Sequence, residues 1–365
     1  MPRRRWIFKV VVPLLVLSLG LIGAEFMARL IAPRPRYGGW LPVVPNLREV
    51  RENVNLRGVS PTMVYTANDW GLRGSTPPAQ WDESFTVLAI GGSTTRCGFL
   101  DDTKTWPHLL EQRLRVDLPT AWIGNAGFNG HTTRGHVLAM DKIVRDIRPD
   151  AAVLLIGIND LTLSLDASQT DYDLVNATDR LPGGLLSGSR LFQLAFLWKR
   201  ANVDDVIVHQ GAGHVSLEPQ PVDPSVFSPL PEDLRAVLPS LPAFRANLGR
   251  IVDIARECNT QVLFMTQPLW FSDTERWRTV HGSAYWVEDE QLVVSAATLA
   301  RMMDVFNAEL QAFCLERGVP CFDLANQIPR TEANFYDLCH FTEAGAALVA
   351  EQAERGVRQH LLPAQ

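Results

Sequence analysis

From Phe85 onward, short apolar runs alternate with longer amphipathic ones, and that alternation leaves few folds open. The apolar runs are Phe85–Ile90, Trp122–Gly127, Ala151–Gly157, Gln261–Thr266 and Pro320–Asp323. The amphipathic ones are Thr105–Val116, Thr132–Ile147, Ala243–Glu257, Ala296–Glu316 and Thr342–His360. A strand apolar on both faces must be covered on both faces, and helices between strands supply the cover. The pattern therefore predicts an α/β fold: a three-layer, doubly wound parallel sheet whose ligands bind at the C-terminal ends of the strands.

A different regime governs the N-terminus. Arg3, Arg4 and Arg5 precede a run from Trp6 to Ala24 in which Lys9 is the only charge. As a helix this run spans roughly 28 Å, about the thickness of a bilayer core. It reads as a single-pass membrane anchor within residues 1–31, the membrane being engaged through residues 6–24. The alternative is a cleaved signal peptide, but Ile22 stands where a small residue is wanted two positions before Ala24. The arginine cluster keeps the N-terminus cytoplasmic and places the body outside an inner membrane, in the periplasm of a bacterium. Residues 32–84 form a Pro/Gly-rich linker and an irregular extension, in which Asn68–Gly74 suggests a tight turn beside an edge strand. Residues 85–365 form the main domain.

Two segments break the rhythm. Residues 161–242 form an insertion with one candidate helix at Ser189–Val203 and seven prolines between Pro219 and Pro242. Leu269–Val287 is rich in aromatics. A net charge of -6, without a basic stripe outside the N-terminus, argues against a nucleic-acid partner. The five cysteines form no zinc pattern. Cys314 and Cys321 are either a disulfide pair or two buried thiols. Cys97 and Cys339 each neighbour a candidate catalytic residue.

Four segments fall where the fold places function. Ser93 follows the first strand in Gly91-Gly92-Ser93-Thr94. Gly130 closes Asn125-Ala126-Gly127-Phe128-Asn129-Gly130 after the second, and Asn159 lies in Gly157-Ile158-Asn159-Asp160 after the third. Asp337 and His340 stand three apart near the C-terminus. A serine needs a base to take its proton, and the base needs an acceptor on its other nitrogen. Ser93, His340 and Asp337 supply those parts, while the N–H of Ser93, the N–H of Gly130 and the Asn159 amide are candidate oxyanion donors. Asp160 reads as a turn residue capping the segment that follows it. His131 is a candidate pocket residue, and Arg96 and Arg134 either meet an anion or pair with nearby acids. A metal site on Asp337, Cys339 and His340 lacks a fourth ligand, and no GxGxxG marks a dinucleotide site, so neither metal nor cofactor is expected.

These blocks resemble the SGNH hydrolase superfamily of GDSL-like esterases and lipases, over about residues 68–350. The resemblance implies Ser93 as nucleophile, Gly130 and Asn159 as oxyanion donors, and Asp337 and His340 as the remaining catalytic pair. One departure is plain: the family's Gly-Asp-Ser reads Gly91-Gly92-Ser93 here, which suggests a divergent branch. The implied activity is ester hydrolysis through an acyl-enzyme, on a substrate such as an acylated carbohydrate or lipid. The alternatives are O-acyl transfer to an envelope or secreted polysaccharide, or a silent binding module. A histidine base must be neutral to act, so activity is expected to fall below pH ~6–7.

Overall fold

The computed structural model describes residues 2–31, 46–53, 56–165, 189–191, 194, 225, 227–270, 284–287 and 290–362. Most of the 161–242 insertion, the Pro33–Pro42 linker and residues 271–283 of the aromatic stretch lie outside the described residues.

Five strands form a parallel sheet: β3 (Thr86–Gly91), β4 (Trp122–Gly127), β5 (Ala151–Leu155), β6 (Gln261–Met265) and β9 (Cys321–Phe322). Their order is β4-β3-β5-β6-β9. Each lies at or within a residue or two of its expected run. Side-chain alternation sorts the core into two layers. Leu88, Ile90, Ala152, Leu154 and Phe264 face one layer, and Val87, Ala89, Val153, Leu155 and Met265 face the other. The first layer is covered by α4 (Thr133–Ala139), α6 (Ile158–Leu165), α7 (Leu241–Cys258) and α8 (Ala296–Arg317). The second is covered by α3 (Trp106–Leu114) and α9 (Glu343–His360). Where a continuous helix is expected over Thr132–Ile147, α4 passes through a π-helical segment, Met140–Val144, into α5 (Arg145–Ile147).

This strand order decides where a site sits. The chain leaves β3 for β4 on one side and then builds β5, β6 and β9 on the other. The connections diverge at the C-terminal end of β3, where a crevice opens. The one-turn helix α2 (Ser93–Arg96) begins there.

The extension before the sheet is more ordered than its sequence suggests. Strands β1 (Arg48–Glu52) and β2 (Thr62–Thr66) pair antiparallel. The Asn68–Gly74 turn lies along β4, an edge strand, as expected: Arg73 and Asn125 exchange backbone hydrogen bonds of 3.2 and 3.1 Å. A second antiparallel pair, β7 (Ala284–Val287) with β8 (Glu290–Val293), lies within and just after the aromatic stretch. At the N-terminus, α1 (Pro2–Ile31) contains an apolar span, Lys9–Leu30, of mean hydropathy 2.2, long enough to cross a membrane.

Candidate active site

Ser93 is the first residue of α2. Gly92 stands at its N-cap, and a Cβ there would collide with the Asn159 side-chain amide. The Gly-Gly-Ser departure is thus matched by the approach of Asn159 to the serine turn. Asn159 Nδ2 donates to the His131 carbonyl at 2.8 Å, which leaves its second N–H for another acceptor. Gly130 turns the chain after β4 at φ 72°, a conformation that glycine adopts freely.

Neighbouring side chains hold that turn and α6 in register. Asp160 is buried, and both its carboxylate oxygens accept from Thr133 N, at 3.0 and 3.1 Å. Thr133 Oγ1 donates to it as well, at 2.6 Å. The expectation for Asp160 is corrected here: it lies inside α6 and caps α4 instead, the helix that follows the Gly130 turn. Backbone N–H groups at a helix start lack intrahelical partners, so a carboxylate from a neighbouring element serves as the cap.

The Asp337–His340 loop arrives from the far end of the chain. Trp270 N donates to Leu338 O at 2.8 Å, and Tyr336 N to His340 O at 3.1 Å. Asp337 Oδ1 accepts from the backbone N–H of Cys339 and of His340, at 3.0 and 2.8 Å. Its other oxygen lies 2.7 Å from His340 Nδ1, and His340 Nε2 lies 2.7 Å from Ser93 Oγ. An imidazole protonated on Nδ1 donates to the carboxylate and leaves Nε2 to accept from the hydroxyl. The Tyr336 ring stacks on the imidazole, 5.6 Å between centroids and 7° from parallel.

Electrostatics follow from this packing. Burial alone would lower the His340 pKa. The adjacent Asp337 carboxylate outweighs it and holds the imidazole well above its ordinary value. Burial likewise acts to raise the pKa of Asp337, but His340 and the two backbone donors bring it below the usual carboxylate range. Cys339 Sγ is 3.6 Å from His340 Nδ1, and burial raises the pKa of this thiol. Donor atoms of Asp337, Cys339 and His340 all lie within 4.8 Å of one another. Nδ1 is committed to Asp337, so a metal there would have to replace the proton that joins them.

The structure thus brings together Ser93, His340 and Asp337, with Asn159 against the same turn and Gly130 at the adjoining strand end. Cys97 is a free thiol donating to Thr94 O at 3.3 Å, and Cys314 and Cys321 are both free. His131 is buried against Phe128 at 5.0 Å. Arg96 lies over the Tyr65 ring, and Arg134 is exposed at the start of α4. Tyr336 has no signature in sequence, because stacking depends on the loop's path.

The profile of the GDSL-like lipase/acylhydrolase family matches residues 89–348. The chain belongs to this family. As a GDSL-like acylhydrolase it is a hydrolase on a five-stranded parallel sheet. A structure titled TesA covers 76% of this GDSL-like chain and 99% of its own, at 13% identity and a TM-score of 0.45. A catalytic mutant of Axe2, an acetylxylan esterase from Geobacillus stearothermophilus, covers 77% and 97% at 16% identity and a TM-score of 0.43. A GDSL-like lipase from Bacteroides thetaiotaomicron covers 78% and 92% at 11% identity and a TM-score of 0.41. A comparison with curated protein sequences gives no match.

Proposed function

We propose that this GDSL-like protein is a serine esterase that acts on carboxylic esters outside the cytoplasm, through an acyl-enzyme on Ser93. The observation that carries the reading is the unbroken chain from Ser93 Oγ through His340 to Asp337, with both links at 2.7 Å. Ser93 Oγ attacks the ester carbonyl carbon while His340 Nε2 takes its proton. The carbonyl oxygen becomes an oxyanion, held by the N–H groups of Ser93 and Gly130 and by Asn159 Nδ2. Collapse expels the alcohol, which takes the proton from His340, and leaves the acyl group on Ser93. Water then attacks with His340 again as base, and the carboxylic acid leaves. Asp337 orients His340 and stabilises the imidazolium at each stage.

The Lys9–Leu30 span anchors the protein in an inner membrane, with its arginine cluster in the cytoplasm and the hydrolase in the periplasm. Acylated carbohydrates or lipids are the substrates this location offers.

Fluorophosphonate labelling tests the chemistry without the natural substrate. Wild-type protein is expected to label at Ser93, Ser93→Ala not at all, and His340→Ala far more slowly. Folded wild-type protein that stays unlabelled would overturn the reading in favour of a silent binding module. Incubating the protein with an acyl ester in the presence and absence of oligosaccharide separates hydrolysis from acyl transfer.

A further inference from the structure

The nucleophile helix cannot hold itself. A helix of four residues has no internal ladder to speak of, and its last carbonyls have no intrahelical partners. Ser93 O accepts from Cys97 N at 2.8 Å, Cys97 O from Leu100 N at 2.9 Å and Thr94 O from the Cys97 thiol at 3.3 Å, and side chains from elsewhere supply further donors. Trp106 Nε1 donates to Thr94 O at 3.2 Å, and Asn125 Nδ2 to Thr95 O at 2.9 Å. Arg73 Nη1 donates to Arg96 O at 2.6 Å and to Cys97 O at 2.7 Å, and its Nη2 donates to Leu100 O. One guanidinium therefore ties three carbonyls at the end of the serine turn.

Arg73 is itself built in. It is 3% exposed, its Nε donates to Asp102 Oδ1 at 2.7 Å, and its guanidinium lies 4.6 Å from the centre of the Tyr65 ring. A buried cation is costly unless it is paired and bonded, so this much satisfaction marks a constructed position. The turn that delivers it is pinned as well. Asn68 Oδ1 accepts from Trp70 N at 3.0 Å and from Leu72 N at 3.1 Å. Trp70 packs against Trp81 and Trp122, at 5.4 and 5.8 Å between ring centroids, and those two rings meet each other at 5.4 Å. All of these partners except Trp122 and Asp102 belong to the extension that precedes the sheet.

We propose that Arg73 is a positioning residue for Ser93, and that the segment before β3 is in this way part of the active site. The inference rests on Ser93 as nucleophile. The guanidinium fixes the C-terminal end of α2, and through it the direction of Ser93 Oγ toward His340 and of the α2 N–H groups toward the oxyanion. Its positive charge at a helix C-terminus acts in the same sense. Lysine would keep the charge but not the planar fork that reaches several acceptors at once.

The test uses the full chain with Arg73→Gln, Arg73→Lys and Arg73→Gly. A misplaced nucleophile costs about 100-fold in rate. Arg73→Gln is therefore expected to lower kcat and the fluorophosphonate labelling rate at Ser93 by that order, with KM within about 3-fold of wild type. Arg73→Lys should recover only part of the loss. Arg73→Gly should regain rate on adding methylguanidinium, but not on adding sodium chloride of equal ionic strength. Amide exchange at Thr94–Cys97 should quicken in each Arg73 variant. Folded Arg73→Gln with wild-type kcat and wild-type exchange overturns the proposal. Should Arg73→Gln fail to fold, folded Arg73→Lys with wild-type kcat, labelling and exchange overturns it instead. If wild-type Ser93 does not label, the catalytic reading fails, and amide exchange still decides whether Arg73 holds α2.

Discussion

His340 meets two opposing demands. Its contact with Asp337 makes it a stronger base, and the same carboxylate keeps it protonated to higher pH. In the proposed mechanism only neutral imidazole accepts the Ser93 proton, so kcat/KM should rise with pH, with a midpoint above the ordinary histidine value of about 6.5. This moves the acid limb above the range expected from sequence, because the carboxylate's effect on the imidazole depends on a contact that only the fold creates. Asp337→Asn removes the carboxylate that opposes burial most strongly and leaves only the Cys339 thiol working against it, so the midpoint should shift toward acid. The same change should lower kcat by on the order of 10^3 to 10^4-fold, since the imidazole loses its orienting acceptor. A pH–rate profile of both proteins decides it. A midpoint unchanged by Asp337→Asn would show that the carboxylate does not set the basicity of His340.

Between elements, the site depends on contacts that no single segment holds. Asp160 joins α6, which carries Asn159, to the start of α4, which follows Gly130. Asp160→Ala leaves Thr133 N–H and its hydroxyl without that acceptor. It should cost about 1–3 kcal/mol of stability, read as a lower urea midpoint at unchanged m-value. It should also lower kcat more than the lost stability explains, because Asn159 and Gly130, the proposed oxyanion donors, lose their common register. Normal kcat in the folded variant would confine Asp160 to a capping role. The sheet strands were legible because each is a short apolar run with helical segments on either side. The β1–β2 hairpin was not: Arg48–Glu52 reads Arg-Glu-Val-Arg-Glu, without an apolar alternation. Its order comes from a cross-strand contact, Arg51 lying 4.8 Å from the centre of the Tyr65 ring, and from a tertiary one, Val64 N donating to Asp101 Oδ2 at 2.7 Å.

For the whole molecule, the Lys9–Leu30 span meets the main domain where Glu25 accepts from Ser189 Oγ, Arg190 N and Leu191 N, away from the Ser93 turn. Removing residues 1–31 should release the protein from the membrane fraction with its fluorophosphonate labelling intact. Full-length protein should stay with membranes through alkaline carbonate washing, as a spanning helix does and a peripheral contact does not. Full-length protein that washes off, or appears without its first residues, would replace the anchor by a cleaved signal peptide.

The sequence by itself determined the sheet and the identity of Ser93, Gly130, Asn159, Asp337 and His340 as candidates. Both are written locally: an apolar strand, the turn that ends it, and the residue on that turn. Only the tertiary structure decided how those residues meet and what holds them. Ser93 and His340 come within 2.7 Å across a separation of 247 residues, and Arg73, Asn125 and Trp106 converge on one helical turn from three elements. Such convergence has no period and no local spacing. It exists because the strand order β4-β3-β5-β6-β9 brings distant strand ends to one crevice, and because a helix too short to satisfy its own carbonyls must find donors wherever the fold presents them.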